Sequence, residues 1–154
     1  MASDIKHIVF DLDGVLTDGK QYITIYGNKK HKAVNARDKL GIKRLLSAGY
    51  TVTILTLDDW PGARAWFERI GCNFVAIENK ALYHVKPGTL GVGDDRDDYE
   101  WLFKCDGPFA VQDADPWLLN RIDILTLPVN GGCGVVNYVE NFLYDTHNRA
   151  SSEE

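Results

Sequence analysis

The sequence predicts an α/β domain with a mainly parallel sheet flanked by helices, and three observations carry that expectation. Short runs rich in apolar and β-branched residues recur along the chain: Ile8-Val9-Phe10, Tyr50 to Thr56, Thr89 to Val92. They lack the in-out alternation of a half-exposed strand, as strands covered by helices on both faces do. Between them lie segments of helical period, such as Ala63, Trp66, Phe67 and Ile70, closed by glycines such as Gly49 and Gly71. Strand and helix signals that alternate in this way make a parallel sheet with crossover helices.

The first strand ends at Asp11-Leu12-Asp13-Gly14, where glycine marks a turn. Gln21 to Tyr26 favours a strand, Gly27-Asn28 signals a turn, and His31 to Asn35 can return as a second strand. A β-hairpin of about residues 20–35 is therefore expected directly after the first strand. Arg37 and Asp38 lead into a helix carrying Ile42, Leu45 and Leu46 on one face, and Tyr50 to Thr56 is the next core strand. The helix around Trp66 follows; its spacing places Trp66 in the core rather than on a stacking platform. Phe74 to Ile77 is a short third strand, and Asn79 to Tyr83 can begin a helical turn before Pro87-Gly88. Thr89 to Val92 runs into Gly93-Asp94-Asp95. Tyr99, Leu102 and Phe103 mark a short helix, and Pro108 to Val111 a fifth strand. Asp115-Pro116 starts another helix, with Asp as cap and Pro in the first turn. Ile122 to Leu127 is extended, 131–134 is a glycine loop, and Val135, Val139, Phe142 and Leu143 form a last amphipathic helix. One domain spanning 1–147 is expected, with 148–154 a polar, disordered tail and no internal repeat.

Composition narrows the function. The 154 residues carry a formal net charge of −5, which argues against a nucleic-acid binder. No stretch is long and apolar enough to cross a membrane, and the N-terminus has no signal-peptide pattern. Cys72, Cys105 and Cys133 are odd in number and widely spaced. They read as reduced thiols of a cytoplasmic protein rather than a zinc site or disulfide framework.

The chemistry concentrates in Asp11 and Asp13. Spaced i and i+2 at a strand tip where the chain turns, they converge at the carboxyl end of the strand, where open α/β sheets bind ligands. Close carboxylates repel and need a proton or a cation to share. A hard divalent ion with oxygen ligands is the natural partner.

The stretch FDLDGVLTDG resembles the first motif of the haloacid dehalogenase superfamily. Three further features stand after successive apolar strands in that family's order: Thr56, Lys80 and the acidic cluster from Gly93 to Asp98. Within the superfamily the chain is most similar to the capless sugar-acid phosphatases. AVNARDKLGI, GDDRDD, FAVQDADP and GGCGVVNYVENFL resemble segments of that group along nearly the whole chain. The resemblance implies a Rossmann-like domain without a cap and a Mg2+-dependent phosphomonoesterase acting through an aspartyl-phosphate. The substrate it implies is a small phosphorylated metabolite, a sugar-acid phosphate such as 3-deoxy-D-manno-octulosonate 8-phosphate. Carried over, Asp11 is the nucleophile and Asp13 the general acid/base. Thr56 and Lys80 hold the phosphoryl oxygens. Lys80 takes that place rather than Lys86, because Lys80 follows directly on a strand while Lys86 precedes Pro87. The ion takes Asp11, the backbone carbonyl of Asp13, and Asp94. Asp95 and Asp98 stand behind them, and Asp98 either caps or holds Lys80. Arg37 is a ligand contact or a salt-bridged helix start.

Two departures stand out. The group carries Gly-Arg after its threonine, where this chain has Leu57-Asp58, and Cys133 replaces the arginine of a Gly-Gly-Arg-Gly segment. A non-catalytic structural or regulatory protein of the same fold, or a phosphatase or phosphotransferase for another substrate such as a nucleotide, is therefore an alternative reading. With no room for a cap, and with Tyr22, Ile23, Ile25 and Tyr26 in a hairpin that is marginal alone, burial between copies is expected. The resembled phosphatases are tetramers built around this hairpin, which implies a homotetramer here.

Overall fold

The computed structural model describes residues 4–28 and 31–153. Six strands, all parallel, form one sheet: β1 (His7–Asp11), β2 (Thr51–Thr56), β3 (Asn73–Ala76), β4 (Thr89–Gly93), β5 (Gly107–Val111) and β6 (Leu125–Leu127). The helices are α1 (Ala36–Ser47), α2 (Pro61–Ile70), α3 (Tyr99–Leu102), α4 (Pro116–Leu119) and α5 (Val135–Glu153). Single helical turns occupy Leu12–Leu16, Lys80–Leu82 and Arg96–Asp98. Among the described residues no helix is long and apolar enough to cross a membrane.

The strand order is β3-β2-β1-β4-β5-β6. The chain winds outward from β1 to β3, then returns to the other side of β1 with β4. The strand order thus reverses between β1 and β4, and the crevice beyond their carboxyl ends is where such sheets bind ligands. Phe10 pairs in register with Ile54 of β2 and Val92 of β4, and all three are fully buried. This explains the near-continuous apolar runs: a central parallel strand has no solvent face. Three of the helices are fixed by local chemistry. The Asn35 side chain caps α1 through the Arg37 amide, the Asp115 side chain caps α4 through the Trp117 amide, and Gly71 ends α2 at φ 117°.

The hairpin expected over 20–35 falls partly on residues 29 and 30, outside the described residues, and its described part shows no extended strand. It reverses at a turn in which the Thr24 amide donates to Asn28 and the Gly27 amide donates to Thr24, and Ile23 is a lone bridge residue. The arms meet through Tyr22 and His31, whose rings stack 4.8 Å apart. A two-stranded ribbon without a third strand or a covering layer has little to stabilise it; Ile25 is 93% exposed and Tyr26 82%. One expectation changes: the tail expected to be disordered is instead helical, because α5 runs on through Glu153.

Candidate active site

β1 delivers Asp11 to the crevice with its side chain already engaged, since the Leu12 amide donates to Asp11 Oδ1 at 2.8 Å. The chain then enters the turn Leu12–Leu16, which Gly14 permits at φ 86°. A Cβ at Gly14 would lie 1.7 Å from Asp94 Oδ2, so glycine also makes room for the carboxylate delivered by β4. Thr17, buried, ties the turn together. Its Oγ1 accepts from the amides of Gly14 and Gly19 and donates to Asp13 Oδ1 at 3.2 Å. The glycine loop expected at 131–134 packs on the same turn. The Gly132 amide donates to the Val15 carbonyl at 2.9 Å, and a Cβ at Gly131 would meet the Gly14 carbonyl at 1.9 Å.

Lys80, buried in the turn after β3, places Nζ 2.8 Å from Asp11 Oδ1 and 2.8 Å from Asp98 Oδ1. Asp98 is fully buried and accepts from four donors: Lys80, Trp101 Nε1 at 2.9 Å, and the amides of Asp94 at 2.9 Å and Asp95 at 3.1 Å. It therefore does both jobs the sequence left open, capping and holding Lys80. Burial alone would raise its pKa; the Lys80 charge and these hydrogen bonds overcome that and hold it below the usual carboxylate range. Asp11 goes the other way: burial and the nearby charge of Asp98 push it well up, against the pull of Lys80. Burial likewise pushes Asp94 up to about 6.

Ligand oxygens of Asp11, Asp94 and Asp98 lie within 4.8 Å of one another. Ionised together, these three carboxylates carry more negative charge than Lys80 offsets, and burial with mutual repulsion opposes that state at Asp11 and Asp94. A hard divalent cation fits that deficit, and the donors are all oxygen. Asp98 has its lone pairs occupied by donors, which leaves Asp11 and Asp94 as the side chains able to hold the ion. The Asp13 carboxylate lies outside this group, on Thr17 and Lys32. Asp95 is occupied as a cap on Arg96, 2.7 Å from its amide. Thr56 is buried at the tip of β2, its Oγ1 accepting from the Asp58 amide at 3.1 Å. Arg37 is exposed on the first turn of α1, without an ion pair among the described residues and away from the site cavity.

That cavity, of about 320 Å³, is lined by Asp11, Asp13, Thr56, Lys80 and Asp94 and reaches Gln21 and Asp58 at its mouth. A groove of about 540 Å³ between α1 and α5 is larger, but it brings no comparable charge cluster together.

Sequence reasoning missed Lys32. Its Nζ lies 2.5 Å from Asp13 Oδ2 and 3.6 Å from Asp58 Oδ2. The available signal was alternation in the returning arm: Val34 packs on the core, and Lys32, two residues earlier, shares its side.

A strand-tip aspartate pair, a threonine and a lysine after the next two strands, and an acidic loop beyond the fourth, all meeting at the switch point of a parallel sheet, define a phosphatase of the haloacid dehalogenase type. No family model matches the chain. Curated relatives similar along most of it include 3-deoxy-D-manno-octulosonate 8-phosphate phosphatase KdsC from two organisms. The one from Escherichia coli K12 is 32% identical over 158 residues, covering 92% of this chain and 80% of the relative. The one from Haemophilus influenzae is 29% identical over 159 residues, covering 96% and 87%. The cobalt-bound form of the Haemophilus influenzae deoxy-D-mannose-octulosonate 8-phosphate phosphatase (YrbI) superposes with a TM-score of 0.84 at 29% identity, over 97% of this chain and 93% of that one. The chain belongs to the KdsC-like phosphatases of the haloacid dehalogenase superfamily, and it is an enzyme of that class.

Proposed function

We propose that the chain is a Mg2+-dependent phosphomonoesterase for a sugar-acid phosphate of the 3-deoxy-D-manno-octulosonate 8-phosphate type. The observation that carries this reading is the contact of Lys80 with Asp11 beside Asp94 and Asp98. In this reading that contact joins a nucleophilic carboxylate, a fixed cation and a divalent-ion site within one small volume.

Asp11 attacks phosphorus, the bond from phosphorus to the ester oxygen breaks, and Asp13 gives its proton to that oxygen, releasing the sugar alcohol. Water then attacks the aspartyl-phosphate and returns a proton to Asp13, which frees Asp11 and inorganic phosphate. Splitting the reaction gives two easier displacements. A phosphate dianion repels a carboxylate, and Lys80 and Thr56 offset this at the phosphoryl oxygens. Asp11, Asp94 and the Asp13 carbonyl would hold Mg2+, which would supply the remaining positive charge. Asp98 keeps Lys80 in place, and Asp95 secures the turn that carries Asp98.

The active unit in this reading is a cytoplasmic homotetramer. The exposed Ile23, Ile25 and Tyr26 of the segment that follows β1 support it, since that surface is better buried against copies than left in water. Light scattering checks it: a fully active monomer at micromolar concentration contradicts it. The function is tested by phosphate release from a panel of sugar-acid, neutral sugar and nucleotide phosphates with Mg2+. The reading expects 3-deoxy-D-manno-octulosonate 8-phosphate to give the highest kcat/KM; preference for a nucleotide, or no hydrolysis at all, contradicts it.

A further inference from the structure

Lys32 has no part in the steps above, yet it is built into the site. It comes from the returning arm of an exposed segment, but its side chain is only 10% exposed. A buried ammonium needs partners. It finds Asp13 at 2.5 Å, Asp58 at 3.6 Å, and the face of Trp60, with Nζ 4.8 Å from the ring centroid. Lys32 holds Oδ2 of Asp13 and Thr17 holds Oδ1. A carboxylate gripped on both oxygens has little rotational freedom left.

Asp58 and Trp60 belong to the loop after Thr56, where the resembled phosphatases carry Gly-Arg. Here that loop offers an anion and an aromatic face, and the cation comes from the opposite side of the crevice. Lys32 therefore joins three chain segments: the turn after β1, the segment before α1 and the loop after β2. Its ion pairs are with Asp13 and Asp58, whereas Lys80 is the lysine on Asp11. In the proposed reaction Lys32 therefore stands beside the general acid/base and Lys80 beside the nucleophile.

We propose that Lys32 is a positioning residue that fixes the Asp13 carboxylate against the ester oxygen, and that Asp58 and Trp60 hold Lys32 for that task. The inference rests on the reading of Asp13 as general acid/base. A lysine that acts through Asp13 matters most when the leaving oxygen needs a proton. A sugar alkoxide does; p-nitrophenolate leaves without one.

The test measures kcat for p-nitrophenyl phosphate and for glycerol 3-phosphate, with Mg2+, in Lys32→Met, Lys32→Arg and Asp13→Asn. A positioned acid is worth roughly a hundredfold to ten-thousandfold, so losing its orientation should cost about tenfold or more on the alkyl ester and less than about threefold on the aryl ester. Lys32→Arg should recover part of the alkyl loss, because it keeps the charge. Equal losses on both esters in Lys32→Met, or a rise in KM with kcat unchanged, overturn the inference while leaving Asp13 in its role. Equal losses in Asp13→Asn remove that role and the inference with it. If Lys32→Met does not fold, Lys32→Arg and Asp58→Asn carry the test. Both should show a smaller loss with the same preference for the alkyl ester, and an even loss in both overturns the inference.

Discussion

Gly14 and Asp94 approach so closely that no side chain fits between them: a Cβ on Gly14 would stand 1.7 Å from Asp94 Oδ2 and 2.4 Å from its carboxyl carbon. The contact joins the turn after β1 to the loop after β4, the two pieces that supply the carboxylates at the switch point. Gly14 also has φ 86°, which L side chains rarely adopt. Gly14→Ala should therefore push Asp94 off its position and strain the turn. Activity should fall by about a hundredfold or more, since small displacements of reacting groups are costly. Mg2+ activation should shift to higher concentration, measurable by titrating the ion against phosphate release. Unchanged Mg2+ dependence would show that this contact does not set the ion site.

Lys80 and Lys86 provide an internal control. Lys80 is buried between Asp11 and Asp98, while Lys86 is exposed in the turn before Pro87. Lys80→Met leaves Asp98 and Asp11 buried without their cation and should cost stability, roughly 3–5 kcal/mol, as well as turnover. Lys86→Met should change neither by more than a few tenths of a kcal/mol or about twofold in rate. Thermal unfolding and phosphate release on both variants check this, and comparable losses at the two positions would contradict it.

Asp38 makes stability depend on pH away from the catalytic group. It is 1% exposed on the first turn of α1. Its Oδ1 accepts from the Val136 amide at 3.1 Å, and its Oδ2 has no hydrogen-bond partner among the described residues. Burial pushes its pKa up to about 6, against the bond from Val136. With the folded value above the unfolded one, the native state holds the proton more tightly. The stabilisation is complete below the unfolded pKa, about 3.9, and is lost as pH rises through about 6. The loss is between about 1 and 3 kcal/mol, lower if the N-terminus of α5 favours the charged form. Asp38→Asn keeps an acceptor for Val136 and removes the charge. Its stability relative to wild type should rise between pH 4 and pH 7 in denaturant unfolding; parallel curves would contradict this.

Much of the fold could be read from the sequence because burial leaves a direct mark. Strands such as Ile8-Val9-Phe10 have no polar face, and the carboxylates that interrupt the apolar pattern fall at strand ends, where Asp11 and Asp94 stand. The segment 20–35 was harder. Its strand-forming residues satisfy local propensity, but Ile25 and Tyr26 are exposed among the described residues, so propensity stands there without the burial that marks the core strands. The tail failed in the opposite sense. Its polar residues read as disorder, yet they extend an existing helix and bear no nucleation cost. Lys32 was obscured for a third reason. Its partners, Asp13 and Asp58, are distant in sequence, and only the folded chain brings them to one ammonium. Asp98 and Trp101 show the same limit: their hydrogen bond fixes Lys80, but sequence spacing could only leave the carboxylate's role open.

The central claim is that Asp11 is the group that accepts the phosphoryl moiety, and Asp11→Asn addresses it directly. The amide keeps the size of the side chain and an acceptor for the Leu12 amide, so the variant should fold, with the wild-type circular dichroism spectrum. It is a poor nucleophile and a weak ligand for Mg2+. Phosphate release measured with Mg2+ and saturating substrate should fall on the order of a thousandfold or more. A purified, folded variant that retains near wild-type turnover, with contaminating phosphatase excluded, would contradict the account.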